Sequence, residues 1–284
     1  MTDFIKGPLW AATNWSADAG EGSIHDDDTA EKLGFRGGTV AGDVHMNQFP
    51  PVLVQLFGQE WFERGNLSLS FKNATIDQEK VQVFAEKVPT GQSQTRVWME
   101  REDGLLVCQG TAALGDHGQS ELRAKNLRPC DPKELKIYKD IYAGMSLGEY
   151  EIFADPEKQF GRYDQNVISD PMPWYREVSP WGNVVAAPCT IIQYLWGYPI
   201  RTLAQYTGDS VGLFGAIEIG YTHGPFLLKR NYRLTSEVIC VGQSPQTEYV
   251  WYETKAFNEA DQLVASMRMQ GRTMKASSSL YETL

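Results

Sequence analysis

The chain has 284 residues, 26 Lys plus Arg against 36 Asp plus Glu, a formal charge of −10, and 42% hydrophobic with 22% charged residues. That length suits one large domain or two ordinary ones, and the composition is that of a globule able to build a core rather than of a disordered chain. The acidic balance, with no basic run, argues against nucleic-acid binding, where Lys and Arg must displace counterions from the phosphate backbone.

The longest apolar stretches, residues 49–58 and 184–197, are broken by Pro, Gln or Cys. They fall short of the ~20 residues that span a bilayer. The first ten residues lack the basic-then-apolar order of a signal peptide, so a cytoplasmic protein with no membrane contact is expected. Cys108, Cys130, Cys189 and Cys240 are scattered, with no Cys-x-x-Cys and no His at ligand spacing. They read as buried or incidental thiols, with neither structural zinc nor a disulfide scaffold.

In chain order, the first dense polar cluster is Glu21-Gly22-Ser23-Ile24-His25-Asp26-Asp27-Asp28, followed by a short helix-like run at 29–35. A Gly-rich turn, Arg36-Gly37-Gly38-Thr39-Val40-Ala41-Gly42, feeds an apolar segment at 41–57 that is hydrophobic on most faces, as a buried helix would be. Pro50-Pro51 should kink or divide it. Strands are predicted at 67–72, where Leu67, Leu69 and Phe71 alternate with Ser68, Ser70 and Lys72, and at 80–88. A hairpin follows, with Val97-Trp98-Met99-Glu100, a turn at Asp103-Gly104, and a strand from Leu106.

Residues 115–132 are polar, with Gly and Pro and no hydrophobic period, which reads as a linker. Beyond it the same order returns. A buried helix is predicted at 184–204 with Pro199 late in it, then strands at 226–234 and 237–241, then a hairpin of Val250-Trp251-Tyr252-Glu253 with a strand from Leu263. The Val-Trp-x-Glu echo marks an internal repeat. The tail from Lys275 is Ser-rich and expected to fray. The fold class is therefore α+β, with an N-terminal unit at 1–120, a linker at 121–142 and a C-terminal unit at 143–284. Each unit wraps an antiparallel sheet around a helix, and the two sheets can join edge to edge.

Two readings of the 21–28 cluster stand side by side. Asp26 to Asp28 before a helical run make an N-cap with acidic first-turn residues. Alternatively, His25 is a candidate acid or base, since histidine is the side-chain type suited to proton transfer near neutrality, and the N–H groups at the start of the buried helix can hold a carbonyl or oxyanion. Consecutive carboxylates rarely converge on one ion, and neither EF-hand nor His-Glu-x-x-His spacing is present, so no metal is expected. No Gly-rich phosphate fingerprint follows a strand, so no nucleotide cofactor is expected either. Asp43 and His45 could face a pocket or start the helix. Trp10, Trp15, Trp174, Trp181 and Trp196 flank these segments and either fill the core or line an apolar ligand pocket.

The stretch 21–42 resembles the hydratase segment of MaoC-like, hotdog-fold proteins. Ile24-His25, Asp27, Ala30, Gly34-Phe35 and Val40-Ala41-Gly42 take the places of that motif, and Glu-x-x-Ile-His-Asp-Asp with Gly-Phe-x-Gly-Gly is closer still to a subgroup of them. A weaker echo in the second half comprises Asp170, Trp174-Tyr175, Gly182, Val185-Ala186-Ala187-Pro188 and Thr222-His223-Gly224. The resemblance implies a double hotdog and an enzyme acting by acid-base proton transfer next to a carbonyl of an acyl or polyketide-like substrate, linked to CoA or a carrier or free. Dehydration or hydration is the leading reaction. Cyclisation, isomerisation, thioester hydrolysis and noncatalytic acyl binding are the alternatives. It assigns His25 as acid or base with Glu21 assisting, and places Asp27, Gly38, Ala41, Gly42, His45 and Tyr175 at the substrate, with a structural role favoured for Asp27. The catalytic Asp that such hydratases carry five residues before the His is Gly20 here, with Glu21 or Asp18 the residues able to take its role, and the usual His-Gly after the turn is Ala41-Gly42. His117 is expected in the linker, and Asp170, Tyr175 and His223 form a reserve site or shape the channel. Pairing into a homodimer through an outer sheet face is compatible with this organisation.

Overall fold

The computed structural model describes residues 4–17, 22–116, 118–168 and 172–281. The elements of the first half are β1 (Phe4–Ala11), α1 (Asp27–Lys32), α2 (Gly42–Met46), α3 (Pro50–Phe57), α4 (Trp61–Arg64), β2 (Gly65–Phe71), β3 (Lys80–Glu86), β4 (Gln94–Arg101) and β5 (Leu106–Leu114). Those of the second are β6 (Ser146–Phe153), α5 (Pro156–Asp164), α6 (Pro188–Gly197), α7 (Pro199–Thr207), β7 (Gly212–Tyr221), β8 (Asn231–Gln243), β9 (Thr247–Phe257) and β10 (Leu263–Met274).

Among the described residues ten strands form one antiparallel sheet in the order β1-β3-β4-β5-β2-β7-β10-β9-β8-β6. The order within the first five, read outward from β2, repeats in the second five, read outward from β7. The halves meet at a seam running from Asn66 opposite Gly220 to Ser70 opposite Ala216. Joining them here pairs what would be two exposed strand edges.

The central helices lie against the inner face of the sheet. Each is divided where proline removes a helix hydrogen bond, at Pro50-Pro51 between α2 and α3 and at Pro199 between α6 and α7. α2 packs on α6, and the contact is a reciprocal polar exchange. Asn47 Oδ1 accepts from the Cys189 N–H at 3.0 Å, and Gln193 Nε2 donates to Asp43 Oδ2 at 3.1 Å.

The connection between the halves crosses the outer face. Its Leu122 N–H donates to Ser68 Oγ, and Arg123 bridges Glu218 at 2.7 Å and Glu253 at 2.8 Å. Leu122 packs with Ala216, Tyr249 and Trp251 in a small outer cluster separate from the main core. Further on, the N–H groups of Lys136, Ile137 and Tyr138 converge on the buried Glu248 carboxylate.

Several elements depart from the sequence expectation. β1 escapes because Gly7-Pro8 places a bulge between Lys6 and Leu9, and β6 because it is a mostly polar edge strand. β7, the seam strand, is hidden by Gly212, Gly215 and Gly220 and by a buried Glu218. Residues 226–234 and 237–241 are not two strands: 231–243 is one, β8, running through Ser236, whose hydroxyl meets Thr254 Oγ1. The tail does not fray through 281. It forms short 3-10 turns and ties Tyr281 to Glu248 by a hydroxyl hydrogen bond.

Candidate active site

Residues 22–26 form the turn before α1. Asp26 is the N-cap, accepting from the N–H and hydroxyl of Thr29 at 2.9 and 2.7 Å. Those bonds hold its carboxyl below the usual carboxylate range. The capping interpretation thus accounts for Asp26 and leaves His25, one residue earlier, outside the helix.

His25 is fastened to the Gly-rich turn at several points. Its Nδ1 lies 2.6 Å from Thr39 O. Thr39 N–H donates back to Ile24 O at 2.8 Å, and Asn14 Nδ2 donates to His25 O at 2.8 Å. Asn14 is held in turn by its N–H to Asp77 Oδ1 at 2.7 Å. Gly38 closes the join: a Cβ there would stand 2.3 Å from His25 O and 3.0 Å from Asn14 Nδ2. Only glycine allows the two segments to lie so close.

This geometry sets the tautomer of the ring. A carbonyl oxygen only accepts, so in neutral His25 the proton sits on Nδ1 and Nε2 carries the free lone pair. Among the described residues Nε2 has no hydrogen-bond partner, and no carboxylate oxygen lies within 4.0 Å of the ring nitrogens. The half-buried ring forms part of the wall of a cavity of about 670 Å³.

The cavity lies between the two halves. The first half contributes Gly22–His25, Thr39–Gly42, Phe71 and Thr75, and the second contributes Trp196, Leu203, Phe214, Tyr252 and Thr273. Gly42 is pressed on Phe71, where a Cβ would meet the ring at 2.7 Å. The N–H groups of Gly38, Thr39 and Val40 are committed to Asp27 Oδ1, Ile24 O and Thr75 O. Among the described residues those of Ala41 and Gly42, entering α2, have no partner.

The site residues expected from sequence therefore sort into three groups. His25, Ala41, Gly42 and His45 are brought together on the cavity wall. Asp27 and Gly38 lie off the wall, joined by the 2.7 Å bond that braces the His25 loop: for Asp27 this is the structural role favoured from sequence, and for Gly38 the expected substrate contact is corrected to a structural one. Tyr175 is likewise corrected. It is fully buried beside Phe62 in an aromatic cluster with Trp174, Trp181 and Tyr221, away from the cavity. Tyr221 ends β7 as Phe71 ends β2, so this cluster fills the place in the second half that the cavity takes in the first. His223 is exposed, with Nδ1 3.1 Å from Leu263 O. Glu21, Asp18, Gly20, His117 and Asp170 lie outside the described residues.

His45 is 2% exposed, with Nε2 2.7 Å from Thr75 Oγ1. Burial pushes it down to about 4, so it is a neutral wall residue at ordinary pH. Burial pushes the Cys108 and Cys189 thiols up, away from thiolate chemistry. Among the described residues no cluster of three His, Cys, Asp or Glu could hold a metal ion, and no helix is long and apolar enough to cross a membrane. Sequence reasoning missed Phe71, Phe214 and Tyr252 as wall residues, because each sits on a strand whose inward face looks like ordinary core.

No protein-family profile matches the sequence, and no curated protein matches it. Solved structures do match. A MaoC domain dehydratase from Chloroflexus aurantiacus J-10-fl, so described, is 9% identical, covers 96% of this chain and 95% of its own, and has a TM-score of 0.60. A conserved protein of Mycobacterium tuberculosis, Rv0216, described as having a double hotdog fold, is 12% identical over 95% and 97% of the two chains, with a TM-score of 0.56. A MaoC-like dehydratase is 11% identical over 96% and 98%, with a TM-score of 0.51. At such identities the likeness is one of fold, and it extends over nearly the whole length of each chain. The chain is a double hotdog, built like the MaoC-like dehydratases.

Proposed function

We propose that the chain is an enzyme acting on an acyl or polyketide-like substrate by proton transfer next to a carbonyl, and that its reaction is dehydration or hydration of a β-hydroxyacyl or enoyl group. The observation that carries this reading is the 2.6 Å contact of His25 Nδ1 with Thr39 O, which leaves the basic Nε2 unpartnered in the wall of a mostly apolar cavity. In the hydration direction Nε2 takes a proton from water as the oxygen adds to the β-carbon. The negative charge that collects on the carbonyl oxygen is met by the Ala41 and Gly42 N–H groups, and the imidazolium returns its proton to the α-carbon. Dehydration is the same path reversed. Glu21, four residues before His25, assists in this reading, while Asp27 and Asn14 hold the loop.

Support at the level of fold comes from the dehydratases described above, and the site supplies the rest. The unpartnered Nε2 serves a second reading as well, isomerisation or ring closure, in which one base carries a proton from carbon to carbon and no second group is needed to hold water. The test is a panel of enoyl and β-hydroxyacyl thioesters with the wild type and His25→Ala. A correctly placed acid-base residue contributes ~100- to 10,000-fold, so a loss of that size in turnover is expected. Undiminished turnover in His25→Ala overturns the proposal, and release of free thiol without hydration identifies a thioesterase instead.

A further inference from the structure

From the His25 side the cavity continues into the second half. Seam pairing stops at Ser70 opposite Ala216, and β10 runs on past that point, from Gln270 opposite Ala216 to Thr273 opposite Gly212, a further ~10 Å of strand. Over this stretch the inner face of the sheet is a cavity floor. Gly271, cross-strand from Val250, has no side chain to fill the space above it. The roof is the divided helix, with Trp196 from α6 and Ile200, Leu203 and Thr207 from α7, whose spacing puts them on one face. Phe214 closes the side, edge-on to Trp196 with ring centroids 5.6 Å apart. A helix layer and a sheet layer are held apart by the side chains between them, and where glycine removes these a flat slot remains. Trp196 and Phe214 are only partly buried on its wall, whereas Phe62, Tyr175 and Tyr221 of the aromatic cluster are fully buried.

A polar pair interrupts this apolar lining. Tyr138 Oη and Thr273 Oγ1 lie 2.7 Å apart, both residues buried and both on the wall. Two hydroxyl groups bring two protons. One bridges the pair, and the other has no acceptor among the described residues. Burial pushes the Tyr138 phenol up to about 12, so the group keeps its proton at ordinary pH. The neighbouring hydroxyl, that of Tyr252, is committed to Met269 Sδ at 2.9 Å. A buried donor without an acceptor costs free energy, and an oxygen brought by a ligand recovers it.

We propose that this slot is the subsite for the far end of the acyl group and selects a flat ring bearing an acceptor oxygen, which takes the spare proton of the Tyr138–Thr273 pair. The inference rests on the reading of His25 as the acid-base residue for an acyl substrate, and names the kind of acyl group that residue serves. A ring meets the partly buried Trp196 and Phe214 in the offset or edge-on arrangement that aromatic surfaces prefer. Being rigid, it also loses less freedom on binding than an alkyl chain of equal carbon count.

The experiment is calorimetric titration of the full chain with three acyl thioesters of N-acetylcysteamine: tetralone-carbonyl, tetralin-carbonyl and undecanoyl. The first two differ by one ring carbonyl, and the third has as many acyl carbons but no ring. None carries an enoyl or β-hydroxyl group, so affinity is read without hydration or dehydration. The tetralone probe should bind about tenfold tighter than the tetralin probe, as one buried hydrogen bond allows, and the tetralin probe roughly threefold or more tighter than undecanoyl. Whichever hydroxyl holds the spare proton, replacing both, Tyr138→Phe with Thr273→Val, removes it, so the first difference should vanish and the second remain. Phe214→Leu should do the reverse, and it decides the matter together with the wild-type order should the double variant fail to fold. Equal affinity for the tetralone and tetralin probes, undecanoyl binding as tightly as either, no binding of any probe, or a carbonyl preference that survives the double substitution overturns the proposal. His25→Ala keeps this order of affinities whatever its turnover, so failure of the catalytic reading and failure of the subsite give different results.

Discussion

Gly38→Ala is the sharpest test of how the site is assembled. The added Cβ would stand 2.3 Å from the His25 carbonyl oxygen, where ordinary contact begins at 3.4 Å. The atom it meets is backbone, so no rotamer change relieves the clash. Asn14 Nδ2, 3.0 Å from the same point, closes the other side. The His25 segment must therefore retreat by about 1 Å, a displacement that can cost ~100-fold when it separates a catalytic group from its target. Overpacking of this kind should also lower stability by about 1 to 3 kcal/mol. The assay is kcat/KM on the thioester that the wild type turns over, alongside urea unfolding of both proteins. A roughly 100-fold fall in kcat/KM with a folded variant is expected. A folded Gly38→Ala protein within threefold of the wild type would refute the claim that this join positions His25.

Two further predictions concern stability. His45 is held at about 4 by burial, with Glu79 opposing, against ~6.5 in the unfolded chain. Stability is therefore complete above about pH 6.5 and is lost as the pH falls toward 4, by on the order of 3 kcal/mol. His45→Gln should flatten that slope in urea titrations across the interval, and an unchanged slope would show that other groups carry it. Arg123→Ala strands Glu218, whose side chain is 1% exposed and otherwise held by Ser120 Oγ at 2.5 Å. Removing one partner of so buried a pair costs about 3 to 5 kcal/mol, and a loss under 1 kcal/mol by the same method would contradict the description of the linker as clasped to the sheet.

The repeat was legible because its two hairpins carry matching Val-Trp-x-Glu strands, and the divided helices because proline at Pro50-Pro51 and Pro199 acts locally. The seam was not. β7 presents three glycines and a glutamate that is buried only because the distant Arg123 and Ser120 reach it. Such a strand has no pattern of its own. At the site, Ile24-His25, the Gly-rich turn and a structural Asp27 could be read from their residues, whereas the partner of Asp27 and the reason for Gly38 could not. One is a bond across eleven positions and the other a close approach of two backbones, and both depend on how the chain folds back. Tyr175 was misplaced for the opposite reason. Its local motif was sound, but Phe62 from the other half occupies the space beside it.

The exchange between the central helices bears on stoichiometry. At the start of α6 the Ala187 N–H is taken by Gln159 Oε1, Pro188 has none, and the Cys189 N–H is taken by Asn47 from the first half, while at the start of α2 the Ala41 and Gly42 N–H groups have no partner among the described residues. A chain made of two copies thus has one helix start stoppered and one available. Titration should saturate at one equivalent of ligand per chain, with a simple hyperbolic curve. Any sigmoid response would then have to arise between chains rather than between the two halves of one.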